Sequence, residues 1–313
     1  MTMMVDPEGS IKAYAPAGGE VDDEVDTDIG RGDPPRRGRE AWPDLARRKP
    51  LRRHARLFAI RSPISTRSRW ILTTLSVAVP LVAWYVLSAS EIVSPTFLPS
   101  PLKVWAAGLD MAQSGSLATD TWASVQRVLV GFGLAVAISV PLGILMGSFQ
   151  AGQSFLEPVI GLLRYLPASA FIPLLLIWLG IGEPSKVAIL LIGTVFFNTL
   201  MTADAVRLVP GALIDVSYTL GARRGEVLRK VVVPHALPGM LDAMRVNAAA
   251  AWNFVVVAEL INSESGLGYR ITRAGRFLQT DKIFAVLVVI GVIGLTMDIV
   301  LRVARDRVGK WVA

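Results

Sequence analysis

The sequence predicts an all-α, polytopic membrane protein of about six spanning helices, and three observations predict it. The chain is oily: 52% of its 313 residues are hydrophobic, 18% are charged, and mean hydropathy is +0.50, outside the range of a soluble chain of this size. Its apolar residues gather into runs of roughly 20, the length that crosses a hydrocarbon core. Between the runs, Lys and Arg alternate in density from loop to loop, as a positive-inside topology requires.

Residues 1–44 hold eleven acidic and five basic side chains with Gly and Pro scattered through. Such a segment buries too little apolar surface to offset chain entropy, which predicts a disordered tail. Residues 45–69 hold nine Lys or Arg and no acid, the pattern of a topology determinant lying against lipid headgroups. The block lacks interleaved aromatics and a recognisable nucleic-acid fold, so no nucleic-acid partner is expected despite the net charge of +7. The first apolar run starts near Trp70, too deep in the chain for a cleaved secretory signal. The chain therefore divides into a cytoplasmic tail over 1–69, acidic then basic, and a transmembrane domain over 70–313.

Six spans are expected: Trp70–Ala89, Val128–Ser148 (with an amphipathic start from Thr119), Phe155–Gly180, Val187–Val206, Leu237–Ile261 and Ile283–Val303. Pro158, Pro167 and Pro173 break the third. With both termini cytoplasmic, the polar loop 207–235 and the basic C-terminal end fall inside, and 90–121, whose Lys and Arg number only Lys103, falls outside. The loop 263–282 is the exception, external yet carrying Arg270, Arg273, Arg276 and Lys282.

Function classes are bounded by what is missing. With no Cys, the chain has no disulfides, no thiolate metal ligands and no Cys nucleophile, and with only His54 and His235 a histidine cluster is not expected. No nucleophile, base and orienting group stand out as a set, so no catalytic residue, metal or cofactor is expected. The informative segment is instead DVSYTLGARRGEVLRKVVVP, from Asp215 to Pro234. Asp215 is placed in the first turn of a short helix, where an acid suits the dipole. Ile214, Tyr218, Gly221 and Leu228 form an apolar stripe among charges that include Arg223 and Arg224. Gly221 permits a bend between two short helices, and Pro234 closes the segment before the next span. A structured, charged loop between spans reads as a knob for a soluble partner.

This segment resembles the cytoplasmic loop of ABC-importer permeases, in which an E-A-A triplet precedes a glycine and a closing Ile-x-Leu-Pro. Asp215, Val216 and Ser217 stand for the triplet, Gly221 for the glycine and Pro234 for the close, with Tyr218, Ala222 and Arg223 between them. Arg164–Lys186 and Ala258–Ile271 are similar to the branch that imports nitrate, sulfonates, taurine or bicarbonate. The resemblance covers about residues 75–308. It implies a permease of the type I importer class in the cell inner (plasma) membrane, working as a dimer of permeases, usually a homodimer. Two separate ATPase subunits would bind the ATP and Mg, and an external solute-binding protein would deliver the cargo. The chain has no G-x-x-x-x-G-K-[ST] phosphate loop, in keeping with an ATPase on another subunit.

Ionisable and amide groups inside spans are costly and mark pathways or internal pairs. On that ground Arg164, Asn198, Asn253 and Glu259 are candidates for the translocation path or gate, and Asp242 with Arg245 for a pair on one helix face. Gly266 and Gly268 suggest a tight external turn at the gate. Arg270, Arg273 and Arg276 recur every three residues and would line one side of a helix at the pathway mouth. Two other classes stay open at this point, a secondary transporter that needs no ATPase and a polytopic membrane enzyme. Gradient-driven uptake by the chain alone would mark the first, and turnover of a lipid or peptide the second.

Overall fold

The computed structural model describes residues 64–90, 92–261 and 263–311, so the expected tail over 1–69 lies outside the described residues up to 63, and its last four residues, 66–69, belong to the first helix instead. The described residues form helices joined by short turns: α1 (Thr66–Ala89), α2 (Pro101–Gln113), α3 (Ser116–Ser148), α4 (Gln150–Leu163), a 3-10 turn (Ala168–Phe171) leading into α5 (Ile172–Leu179), α6 (Glu183–Arg207), α7 (Gly211–Thr219), α8 (Arg224–Val227), a π-helical turn (Leu228–Val232), α9 (Val233–Ile261), α10 (Leu267–Arg276) and α11 (Thr280–Val308). Local chemistry sets several starts. Ser65 accepts from the Ser68 amide, and Ser100 caps α2 with Pro101 in its first turn. Gly115 and Gly180 take the positive φ that ends one helix before the next.

Five helices are long and apolar enough to span a bilayer, and the pair α4 and α5, bent by 78°, makes a sixth crossing. Its need follows from the neighbours. Gly131 faces Leu190, Gly143 faces Thr202 and Gly147 faces Val206, the same offset each time, so α3 and α6 lie side by side and parallel. The chain between two parallel spans must travel back, and the bent segment does so; of the three prolines expected to break it, Pro167 lies at the break, whereas Pro158 lies inside α4 and Pro173 in the first turn of α5. The glycines serve close approach: a Cβ at Gly143 would lie 2.6 Å from Thr202 Cβ and 2.8 Å from the Thr199 carbonyl. The small-residue pair Gly143 and Gly147 thus packs helices within one subunit.

α9 runs back beside α6, and α11 returns antiparallel to α9, with Arg305 bonded to Asp242 at 3.1 Å and Trp84 of α1 stacked on Phe284 near its start. The ends of α3, α6 and α11 therefore gather with α7, α8 and the start of α9 at one face, called the loop end. α2, the start of α6 and α10 form the opposite end. The core joins α2, α3, α6, α9, α10 and α11 through Val128, Leu190, Ala251, Val255, Leu267 and Val286. No residue of α1 is buried, as fits a helix solvated by lipid tails.

Two boundaries differ from expectation. The second span begins at Ser116, three residues before the expected amphipathic start at Thr119, and its first three turns carry polar side chains into the helix bundle. Pro234 does not close the loop: α8, the π turn and α9 form one continuous rod, Arg224–Ile261, of 38 residues. Pro234 sits inside this rod, directly after the π turn, whose wider winding accommodates a residue with no N–H to donate.

Candidate functional site

The loop end is an exposed knob. α7 buries none of its residues, and Asp215, Val216, Ser217, Tyr218 and Gly221 are all open or half-open to solvent. Asp215 lies in the middle of α7 rather than in its first turn, because Gly211 starts the helix after Pro210. Gly221 has φ +82 and no heavy atom within 4 Å of a Cβ built on it. It is there for conformation, not for space, and it ends the apolar stripe that periodicity suggests. Ala222 follows half-buried, and Arg223 opens α8, its backbone N–H donating to Glu226 Oε2 at 3.0 Å. Lys230 reaches Glu226 Oε1 at 3.3 Å. Beneath the knob, Ile214, Val227, Leu228 and Val232 pack with Val206, Val209 and Met240, so the loop is seated on α6 and α9. A groove of ≈ 490 Å³ opens there, lined by Ser148, Gln153, Arg207, Tyr218 and Arg224 among others.

The opposite end is built the other way, from buried charge. Glu259, at the far end of the rod, is fully buried. Its carboxylate accepts from Arg127 Nη1 at 2.7 Å, Ser124 Oγ at 2.8 Å and the Gly268 N–H at 2.8 Å. Arg127 also grips Glu183 with two bonds of 2.7 Å and the Ser265 carbonyl at 2.7 Å. Lys186 joins Glu183 at 3.0 Å. Three successive N–H groups of the turn before and into α10 are held in order: Gly266 by Asp120, Leu267 by Ser124 and Gly268 by Glu259. Every member is satisfied, which a buried polar network requires if it is not to destabilise. Gly266 has φ +118, and a Cβ there would fall onto the Glu259 carboxylate and 2.6 Å from Arg127 Nη1. Gly268 is as closely packed, 2.6 Å from the Val256 carbonyl.

Between the two ends, Asn198 donates to Ser139 Oγ at 2.6 Å and accepts from Asn247 at 3.3 Å, tying α3, α6 and α9. All three side chains are buried.

A family described as "Binding-protein-dependent transport system inner membrane component" matches residues 139–312, from the middle of α3 through α11. The chain belongs to this family. The permease is 37% identical to a probable ABC transporter permease of Brucella melitensis biotype 1, over 77% of this chain and 96% of that one. It is 35% identical to the taurine transport system permease protein TauC of Escherichia coli (strain K12), over 82% and 95%. Among solved structures, an inward-facing conformation of the MetNI methionine ABC transporter shares the fold at TM-score 0.56 and 21% identity, covering 64% of this chain and 98% of that one.

The permease brings together Glu259, Gly266, Gly268 and Arg270 from the sequence-derived candidates, and separates the rest. Arg270 is drawn toward α3, its Nε bonding Asp120 at 2.6 Å, while Arg273 and Arg276 stay exposed. That pair also neutralises one charge of the basic loop that runs against the topology. Asn198 is buried between α3, α6 and α9, and Asn253 is exposed on α9, its amide donating to the Ala249 carbonyl of its own helix. Arg164 is exposed at the α4–α5 break. Arg245 lies within 3.8 Å of Asp242 but bonds Asp298 of α11 more closely. Sequence reasoning missed Asp120, Ser124, Arg127 and Glu183. The signal was available: Asp120, Ser124 and Arg127 repeat at helical spacing on one face of the expected amphipathic start from Thr119, but their partners lie far off in the chain.

Proposed function

We propose that this permease is the membrane-spanning subunit of an ATP-driven importer of a small solute that carries an anionic group, such as nitrate, a sulfonate or taurine, or bicarbonate. The loop 207–235 faces the cytoplasm and seats in a groove of an ATPase subunit, which carries the ATP and Mg. A second permease subunit, a further copy of this chain, completes the channel, and an external binding protein delivers cargo to the opposite end. The taurine in one relative's name supports a cargo that bears a sulfonate or similar anionic group, and the alternative, a secondary transporter working without an ATPase, has no such support.

One observation carries the mechanical part of this reading. The rod Arg224–Ile261 begins inside the exposed loop and carries buried Glu259 in its last turn, a reach of roughly 54 Å at about 1.5 Å per residue. A displacement of the loop is thus delivered to the residue that holds the turn at Ser265–Gly268. The π turn Leu228–Val232 lies between knob and span, where an extra residue per turn provides a place for the rod to rewind. Opening of the opposite end then means exchanging one set of satisfied partners around Glu259 for another, a two-state switch rather than a gradual loosening.

The test is uptake by proteoliposomes. The permease with an ATPase subunit and binding protein encoded beside it takes up labelled taurine, nitrate or bicarbonate only when ATP is enclosed. Uptake by the permease alone, driven by an ion gradient, contradicts the proposal.

A further inference from the structure

The break between α4 and α5 carries the one unusual charge that neither end explains. Packing brackets its depth. On the near side, Ile160 packs with Met146, Leu200 and Ala203, above the loop end. On the far side, Ile172 and Leu175 pack with Ile189 and Ala258, below the Glu183 and Glu259 network. Arg164 to Phe171 therefore lie near the middle of the span. At that depth Arg164 is exposed, as is Tyr165 at 74%. The guanidinium sits 4.8 Å from the Tyr165 ring centroid, with Nη2 at 3.0 Å from the Tyr165 hydroxyl. Among the described residues no carboxylate lies within salt-bridge distance of it, although Arg127, Arg207, Arg245, Arg270, Arg302 and Arg305 all have one.

An unpaired guanidinium at mid-depth is costly against lipid tails or in a dry protein interface. Exposed non-helical backbone at that depth is likewise tolerated where it lines water. Both costs vanish if the break faces a water-filled passage. Tyr165 then fixes the plane of the guanidinium through stacking and leaves its other edge free. A planar fork of donors in low dielectric matches two oxygens of a small oxyanion.

We propose that Arg164, oriented by Tyr165, is the site within the membrane at which the passing cargo is held by its anionic group, a nitrate, sulfonate or carboxylate type of oxyanion. The proposal rests on the import reading given above for its direction of travel, but its contact can be tested apart from transport. It assigns charge selection to the mid-depth break, with the buried network at the opposite end acting only as a gate.

The experiment is arginine-specific modification by phenylglyoxal of the full-length chain in lipid nanodiscs, read residue by residue by peptide mass spectrometry. Arg164 is expected to react, and to react at least threefold more slowly in one or more of nitrate, ethanesulfonate and bicarbonate than in chloride at equal ionic strength. Exposed Arg273 is expected to react equally in all of them. An Arg164 that stays unmodified while Arg273 reacts, or one whose rate none of these oxyanions alters, overturns the proposal. Failure of ATP-dependent uptake would overturn the import reading and leave this result standing. In the transporting complex, Arg164→Gln should lower anion uptake tenfold or more and Arg164→Lys much less. Equal uptake by Arg164→Gln and the unaltered chain would also overturn it.

Discussion

The two ends of the rod Arg224–Ile261 handle charge in opposite ways. At the loop end, Asp215, Arg223, Arg224, Glu226, Arg229 and Lys230 are all exposed, and among the described residues the ion pair they form is the single one of Glu226 with Lys230. At the opposite end, Asp120, Arg127 and Glu259 are buried and bonded across three helices and a turn. Exposed pairs contribute little to stability because water screens them. Buried ones hold geometry and are expensive to break. A surface that must seat against another protein needs the first kind, and a barrier that must stay shut until driven needs the second. The difference also places Gly221 and Gly266 in separate roles, since of the two only Gly266 is both at positive φ and without room for a Cβ.

The largest effect is expected from Glu259→Ala. It strands Arg127, Ser124 and the Gly268 amide in the interior, at a cost of about 3–5 kcal/mol. Thermal unfolding of the purified chain in detergent should show it, with Glu259→Gln milder. A melting temperature unchanged by Glu259→Ala would mean that the network does not hold the opposite end. Gly266→Ala comes next, through strain of about 1–3 kcal/mol in the backbone alone and displacement of the Glu259 carboxylate besides. Gly143→Ala belongs in the same range, about 1–3 kcal/mol of overpacking between α3 and α6. Gly221→Ala should cost less, about 1–2 kcal/mol, because open space surrounds it. If Gly221→Ala destabilised more than Gly266→Ala, the contrast between the ends would be misdrawn. The smallest effect on melting is expected from Glu226→Ala with Lys230→Ala, none beyond error, while ATP-dependent uptake falls. Loss of stability there would show that the loop is part of the core rather than a docking surface.

Much of this is legible in the sequence, for physical reasons. Hydropathy and helix length are local properties, so the expected spans lie close to the observed helices. Gly221 and the polar segment around it stand out because charge placed between oily runs must leave the bilayer and face water or a partner. Partners across helices are not local. Arg245 has Asp242 three residues away, and periodicity pairs them, yet Asp298 on α11 bonds it more closely. Arg270 shares a spacing with Arg273 and Arg276, but only the fold could show that Asp120, far back in the chain, takes it out of the series. Pro234 reads as a stop for the segment. In the fold the helix runs through it, because the π turn just before absorbs the missing N–H, and nothing local in the sequence announces that turn. Asn198 and Asn253 carry the same amide on neighbouring spans, and the sequence cannot tell the sealed one from the open one.

The loop end, and not the opposite end, must meet the ATPase if force is to travel along the rod. The chain contains no cysteine, so single cysteines introduced as Ala222→Cys and Arg273→Cys can each be crosslinked without background in the complex assembled in membranes. Crosslinks to the ATPase subunit from position 222, changing in yield when ATP is added, and none from position 273, are the predicted result. Crosslinks to that subunit from position 273, or silence from 222, would contradict it.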